Sequence, residues 1–457
     1  MIDIKGKKVL VVGLGASGYA AAELLFREGA RVSITEMTDT MEARQYLEKL
    51  APYHPRFELA GHTESFCGDC ELVVTSPGVD VRALPLSRAG ERQIPIIGEM
   101  ELGSWFCRAP IVAVTGTNGK STTVELIGRI LSLSGRHTVV CGNIGNPLSG
   151  EVSGLTEESV AVVEVSSFQL ETIKYFKPSI AVLLNISEDH YERHTGYDNY
   201  KAEKFKIFMN QAESDWAVLH SCFSGEAMTS SIKSRLVFFG PETGGAVVGE
   251  RGISVEWGGK QEVIIKREEV PLKGRHNLDN VACSVLVSRL MGVDNRNIRE
   301  GIMTFKGLNH RFEKIGFFRG VEFIDDSKAT NIDATRRALE SMDKKVVLIA
   351  GGRDKGGDYL SVLPVVKEKV KAVVVIGEAR DRIKDAFSPA VQILMAENMA
   401  DAVKTSFSVA GEGEAVMLSP MCSSFDMFSS YAERGEAFQR EVANLVQAAS
   451  HRPQAQG

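Results

Sequence analysis

Val112-Ala-Val-Thr-Gly-Thr-Asn-Gly-Lys-Ser-Thr-Thr123 is the stretch on which the fold turns. Ile111 to Val114 is a short apolar run that reads as a buried strand. Gly116-Thr117-Asn118-Gly119 follows as a loop whose backbone can bend sharply and come close to a ligand. Lys120-Ser121-Thr122 opens a helical pattern with Leu126, Ile127, Ile130 and Leu131 on one face. Strand, glycine loop and helix N-terminus form an anion site, because unpaired N–H groups and the helix dipole point at bound phosphates. Lys120 is expected to reach the outer phosphates and Ser121 to place its hydroxyl on Mg²⁺. The match to the general P-loop is incomplete, since its first glycine falls at Val114.

Bulk properties narrow the classes. A chain of 457 residues exceeds one core and predicts two to four domains. A formal charge of -6 argues against a general nucleic-acid binder, and no apolar run approaches the ~18 residues of a membrane span. Met1-Ile-Asp-Ile-Lys5 leads straight into a strand, so no secretory signal is expected. Seven scattered cysteines suit reduced thiols in a cytoplasm. Cys67-Gly-Asp-Cys70 lacks a second pair for zinc, and His190-Tyr-Glu-Arg-His194 has its glutamate one place too late for a zinc-protease helix.

The expected architecture is α/β in three domains: a Rossmann-like unit over residues 1–97, a central P-loop-type ATPase domain over 98–306 and a second Rossmann-like unit over 307–457. In the first, strand Val9 to Val12 runs into Gly13-Leu-Gly-Ala-Ser-Gly18, a helix from Tyr19 to Arg27, and a second strand ending at Glu36. Alone this is the dinucleotide fingerprint, and it makes an NAD-dependent oxidoreductase the rival reading. Leu72 to Val79 is a strand entering a Ser-Pro-Gly turn, and Gln93 to Gly98 a last strand leading to a linker. In the second, Val139 to Pro147 is a strand feeding a glycine-bearing loop. Val160 to Ser167 is nearly all apolar, as in a strand buried on both faces. Glu164 interrupts it, either as a metal-binding carboxylate or as an acid facing water at the strand end. Ala181 to Asn185 ends in Glu188-Asp-His190, so Glu164, Asn185 and His190 share a rim with the phosphate loop. Tyr200 to Phe208 reads as an amphipathic helix whose lysines are mostly solvated, and 216–270 as an antiparallel elaboration. Asn277 and Asn280, three apart on a helix, either hold an adenine edge or cap the helix. In the third domain, strand ends carry Lys328, Thr330, Lys355 and Ser424, groups suited to anionic ligands.

Gly116 to Thr122, Glu164-Val-Ser-Ser-Phe-Gln-Leu-Glu171, Asn185 with His190, Gly274-Arg-His-Asn277, His310-Arg-Phe-Glu313 and Asp326-Ser-Lys-Ala-Thr-Asn331 together resemble the Mur ligases of peptidoglycan synthesis, over essentially the whole chain. Within that family the last segment resembles the D-glutamate-adding branch. The resemblance implies an amide-forming ligase that consumes ATP with Mg²⁺ and takes UDP-N-acetylmuramoyl-L-alanine and D-glutamate. It implies a cytoplasmic monomer with small-molecule partners and neither nucleic acid nor membrane. It assigns catalysis to Lys120, His190 and Lys204, with Lys204 matching a lysine that becomes carbamylated. The metal ligands would be Ser121, Glu164, His190 and Lys204. ATP would be held by Gly116, Thr117, Asn118, Gly119, Lys120, Ser121, Thr122, Asn277, Asn280, Arg311 and Asp326. The nucleotide-sugar would lie by Ala16, Ser17, Ser76, Gly78 and Asn143, and D-glutamate among Lys328, Thr330, Lys355, Ser424 and Tyr431. Two departures stand out: the family's usual Asp-Thr-Arg is Glu36-Met37-Thr38 here, and Tyr431 replaces a common phenylalanine. A nucleotide switch without chemistry is the third reading, and Glu164, His190 and Lys204 argue against it.

Overall fold

The computed structural model describes residues 3–80, 82–187, 196–241 and 245–450. Three sheets carry the chain. The first is five-stranded and wholly parallel, in the order β3-β2-β1-β4-β5: β1 Lys8–Val12, β2 Arg31–Thr35, β3 Arg56–Glu58, β4 Leu72–Thr75 and β5 Ile96–Gly98. The chain leaves β1 for β2 on one side and returns to β4 on the other. That reversal opens a crevice at the strands' carboxyl ends, where such sheets bind ligands.

The second sheet has nine strands: β6 Ile111–Thr115, β7 Thr138–Gly142, β8 Val160–Glu164, β9 Ile180–Leu183, β10 Trp216–His220, β11 Arg235–Gly240, β12 Ala246–Gly249, β13 Gly252–Trp257 and β14 Lys260–Lys266. Their order is β14-β13-β12-β11-β10-β9-β6-β8-β7. Every residue of β6 and β8 is buried, which is why their sequences run apolar without alternation. The expectation of an antiparallel 216–270 is corrected. β10, β11 and β12 extend the parallel sheet, and only β12-β13-β14 form an antiparallel meander.

The third sheet is β15 Glu313–Phe318, β16 Val321–Asp325, β17 Val346–Gly351, β18 Val370–Ile376, β19 Gln392–Met395 and β20 Ala415–Leu418, in the order β15-β16-β20-β17-β18-β19. It is parallel apart from the edge pair β15–β16. Its two faces build two cores from alternate residues: Val346, Leu348 and Ala350 point into one, Val347 and Ile349 into the other. The described chain forms two compact units. One holds residues up to Asn185, Tyr200–Val270 and Asp279–Phe305, and the other the segments between them and everything from Lys306.

The linker expected after Gly98 is instead the helix Glu99–Phe106, and both of its first-turn acids are buried. Glu101 is fully buried and accepts four hydrogen bonds, from Trp105 Nε1 (2.7 Å) and the backbone N–H groups of Lys174 (3.0 Å), Tyr175 (2.7 Å) and Phe176 (2.9 Å). Glu99 accepts from the N–H and hydroxyl of Ser149, each at 2.7 Å, and burial holds its carboxyl above the usual range. These two carboxylates fasten the exit of the first sheet to the second. Glu101→Ala strands three backbone donors and an indole, and an orphaned buried donor costs about 1–3 kcal/mol. It is expected to lower the urea midpoint by the equivalent of about 3 kcal/mol or more, with Glu101→Gln in between.

Candidate active site

Because β6, β8 and β9 run parallel in adjacent positions, their carboxyl ends deliver the phosphate loop, Glu164 and Asn185 to one sheet edge. The loop is held by Asn185 in a reciprocal clamp. Asn118 N–H donates to Asn185 Oδ1 and Asn185 Nδ2 donates back to the Asn118 carbonyl, both at 2.9 Å, while Thr117 N–H donates to the Asn185 carbonyl at 3.0 Å. Gly119 sits at φ 89°, in the left-handed region, and a Cβ there would collide with the side chain of Asn280. Asn280, 4% exposed, thus lies against the loop itself. The helix Lys120–Leu133 begins at Gly119 with no side-chain cap, the arrangement that suits an anion at its N-terminus.

Two lysines converge on one oxygen. Lys120 Nζ donates to the Gly116 carbonyl at 2.9 Å and also to the Thr117 carbonyl, and Lys204 Nζ donates to the same Gly116 carbonyl at 3.0 Å. The two nitrogens are therefore within about 6 Å of each other, where two like charges repel by about 3 kcal/mol at an intermediate dielectric. Lys204 is 1% exposed, an exception to the expectation that the lysines of its segment are mostly solvated. It lies 4.5 Å from the centre of the Tyr200 ring, and the Tyr200 hydroxyl is 3.3 Å from Thr117 Oγ1. Nothing in the spacing of Tyr197–Phe205 announces this. Glu164, 3% exposed, accepts from Asn143 Nδ2 at 2.8 Å through Oε1, and its buried Oε2 has no hydrogen-bond partner among the described residues. An orphaned carboxylate oxygen fits a cation as its partner. Ser121 (4% exposed) and Thr122 (1%) are buried in the first turn of the phosphate-loop helix. His190 lies outside the described residues.

In the first sheet, Gly13 and Gly18 let the helix Ala16–Arg27 come down on the strand end, since a Cβ on Gly18 would collide with the Gly13 carbonyl. Ala16 and Ser17 open that helix, the Ser76 hydroxyl donates to the Gly13 carbonyl at 3.3 Å, and Gly78 is exposed on the next turn. All four rim the crevice between β1 and β4. Glu36, the acid that the dinucleotide reading assigns to a ribose, accepts from the N–H of Leu14 (2.7 Å) and from the N–H and hydroxyl of Thr38 (both 3.0 Å). Asn143, expected near the nucleotide-sugar, sits on the central sheet, and its amide orients Glu164.

In the third-sheet unit, Asp326 is buried and accepts from Ser419 Oγ (2.8 Å) and Phe312 N–H (3.1 Å). Burial pushes its carboxyl up to about 7 against the pull of Ser419 and Arg311. Lys328 Nζ donates to the Tyr431 hydroxyl at 2.8 Å. Buried Arg434, which the sequence reading did not single out, ties together the loops after β16 and β20. It donates to Ser327 Oγ (3.0 Å) and to the carbonyls of Ser327, Cys422 and Ser423. Thr330, Lys355 and buried Ser424 lie on the loops that follow β16, β17 and β20. Asn277 is buried, and its amide donates to the Lys273 carbonyl at 2.7 Å.

Asn185→Ala removes the clamp while leaving Lys120 in place. Nucleotide affinity is expected to fall about tenfold, the loss of roughly one hydrogen bond to a preorganised loop, as read by titration with a fluorescent ATP analogue.

Three family descriptions match the chain: the Mur ligase MurD-like N-terminal domain over residues 7–98, the Mur ligase middle domain over 114–288, and the Mur ligase glutamate ligase domain over 310–422. The UDP-N-acetylmuramoylalanine–D-glutamate ligase of Desulfosudis oleivorans is 41% identical over 448 residues, which is 97% of this chain and 98% of that protein. The ligase of the same name from Geotalea daltonii is 41% identical over 449 residues, 97% and 99% of the two chains. Among solved structures, UDP-N-acetylmuramate-alanine ligase from Thermotoga maritima superposes with a TM-score of 0.61 at 20% identity, covering 97% of this chain and all of that one. MurF ligase from the same organism, in complex with ADP, gives 0.58 at 18% identity, covering 97% and 96%. The shared fold, the three matched domains and near-full-length identity of about two residues in five lead to one conclusion: this chain belongs to the Mur ligase family.

Proposed function

We propose that this protein is an ATP-dependent ligase that joins the amino group of D-glutamate to the terminal carboxylate of UDP-N-acetylmuramoyl-L-alanine, in peptidoglycan precursor synthesis. The observation that carries the reading is the convergence of Lys120 and Lys204 on the Gly116 carbonyl at the uncapped start of a helix. Two like charges that close together at a helix N-terminus favour an anionic ligand such as a polyphosphate.

A carboxylate is a poor acyl donor, because its charge is delocalised and it lacks a leaving group. Its attack on the γ-phosphorus releases ADP and gives an acyl phosphate. The amine of glutamate then attacks the acyl carbon, phosphate departs with the C–O bond electrons, and the nitrogen loses a proton. Catalysis is mainly alignment and charge neutralisation. Gly116, Thr117, Asn118, Gly119 and Thr122 cradle the phosphates, and Lys120 stabilises charge on the transferring group. Ser121, Glu164, His190 and a carbamylated Lys204 are the residues that would hold Mg²⁺, which supplies charge neutralisation at the phosphates. The carbamate forms when the Lys204 ammonium gives up one proton, the free amine adds to CO₂ and a second proton leaves the nitrogen, which exchanges a cation for a metal-binding anion. Asn277, Asn280, Arg311 and Asp326 serve the rest of the nucleotide. Ala16, Ser17, Ser76, Gly78 and Asn143 serve the nucleotide-sugar, and Lys328, Thr330, Lys355, Ser424 and Tyr431 the glutamate.

Domain boundaries near 97 and 306 are supported by strands that fall at 8–98, 111–266 and 313–418. The partners are small molecules, and the enzyme acts as a cytoplasmic monomer. The net charge of -6 supports the absence of a nucleic-acid partner. Among the described residues no helix is long and apolar enough to cross a membrane.

Phosphate release by the purified protein is expected to require both UDP-N-acetylmuramoyl-L-alanine and D-glutamate. Equal release with L-alanine or meso-diaminopimelate overturns the acceptor assignment. Lys204→Ala is expected to slow turnover at least about 100-fold, the scale of losing one preorganised electrostatic group, with partial rescue by acetate or formate. Full activity without rescue would remove Lys204 from the metal site.

A further inference from the structure

We infer that Arg382, with Asp354 and Tyr359, forms a positioning clamp that fixes the Lys355 loop, and so sets the affinity for the acceptor's carboxylate. The inference rests on the proposed assignment of Lys355 to D-glutamate. The loop Gly351-Gly-Arg-Asp-Lys-Gly-Gly-Asp358 contains four glycines in eight residues, a composition that leaves a backbone mobile unless something else holds it. Its lysine can meet a carboxylate at a defined place only if that freedom is removed in advance.

Asp354, next to Lys355, is the knot. Its Oδ1 accepts from the N–H of Gly356, across the lysine, at 3.0 Å and from the Tyr359 hydroxyl at 3.0 Å. Its Oδ2 pairs with Arg382 Nη1. Arg382 Nη2 donates to the Gly357 carbonyl at 3.1 Å, so the guanidinium holds the loop on both sides of Lys355. The same guanidinium lies over the Tyr359 ring, 5.3 Å from its centre. Burial works to raise the Asp354 carboxyl, but Arg382, Gly356 and Tyr359 outweigh it and hold it below the usual range, so the knot stays anionic at neutral pH.

The clamp reaches the neighbouring loop as well. Tyr359, 4% exposed, meets Cys422 Sγ at 3.2 Å, and Arg353 N–H donates to the Ser423 carbonyl at 2.9 Å. Both partners immediately precede Ser424. Arg382 belongs to the helix Arg380–Phe387 and is half exposed, so it works from outside the glutamate pocket and acts only through the loop. An isolated surface ion pair contributes little. This one is bonded to two further loop groups and to a buried tyrosine, which gives it geometric authority over the loop.

The test is steady-state kinetics of the full-length enzyme, with phosphate release as readout. Arg382→Ala is expected to raise KM for D-glutamate about tenfold, with KM for ATP within about twofold, the pattern of lost substrate binding rather than lost chemistry. Arg382→Lys, which cannot bridge Asp354 and Gly357 together, is expected to recover only part of it. Adding Arg382→Ala to Lys355→Ala is expected to cost almost nothing further, because the lysine it positions is gone. Tyr359→Phe, which removes one hydroxyl, gives a smaller rise in the same parameter and serves if Arg382→Ala folds poorly by circular dichroism. A D-glutamate KM within twofold of wild type in folded Arg382→Ala, an equal rise in KM for ATP, or full additivity with Lys355→Ala overturns the clamp. Wild-type enzyme that releases no phosphate with D-glutamate overturns the ligase reading instead, and Lys355→Ala without effect on that KM overturns the lysine's assignment.

Discussion

Two ammonium groups share the Gly116 carbonyl oxygen, and much of the central sheet's chemistry depends on that crowding. Lys120 arrives from the helix that follows the phosphate loop, and Lys204 from a segment more than eighty residues later. Two positive charges brought this close to the start of a helix give that end of the loop an electrostatic character that suits an anion. Asn185 completes the preparation by pinning the backbone of Thr117 and Asn118, so that the loop need not be ordered during binding.

The wider architecture follows one rule. In a parallel sheet every strand ends on the same edge, so residues distant in sequence are delivered to one rim. In the central sheet this brings Gly116, Glu164 and Asn185 into register from β6, β8 and β9. In the first sheet it places Gly13 and Ser76 across the reversal between β1 and β4. In the third it puts Asp326, Lys355 and Ser424 after three neighbouring strands, where Arg434 joins the loops after β16 and β20 and Arg382 braces the Lys355 loop. Carboxylates recur as fastening elements: buried Glu101 holds the backbone of 174–176, and partly exposed Asp354 holds the Lys355 loop.

Particular residues show how far sequence reading carries. The strands β6, β8 and β17 were legible because burial on both faces forces an uninterrupted apolar run. The phosphate loop was legible because two glycines and a lysine fall between an apolar strand and an amphipathic helix. Glu164 was half legible, since a carboxylate interrupting such a run is conspicuous while its choice between metal and water is not. The burial of Lys204 was not legible from spacing, because three lysines within six residues, Lys201, Lys204 and Lys206, carry no internal mark for the one that turns inward, and only the family resemblance singled it out. Glu99 and Glu101 were read as linker for the same reason: an acid that will accept four hydrogen bonds is written with the same letter as one that faces water.

From the order of its residues alone, the chain already specified three α/β units, a glycine loop between strand and helix at Gly116 to Thr122 and the family to which it belongs. These depend on local periodicity and on short motifs whose conformational demands are carried by the residues themselves. Tertiary structure decided the parallel direction of β10 to β12, the burial of Lys204, the clamp of Asn185 on Asn118 and the bonds that lock the Lys355 loop. Each of those is a pairing between segments far apart in the chain. Its free energy is set by distance and solvent exclusion, and neither exists until the sheets have formed.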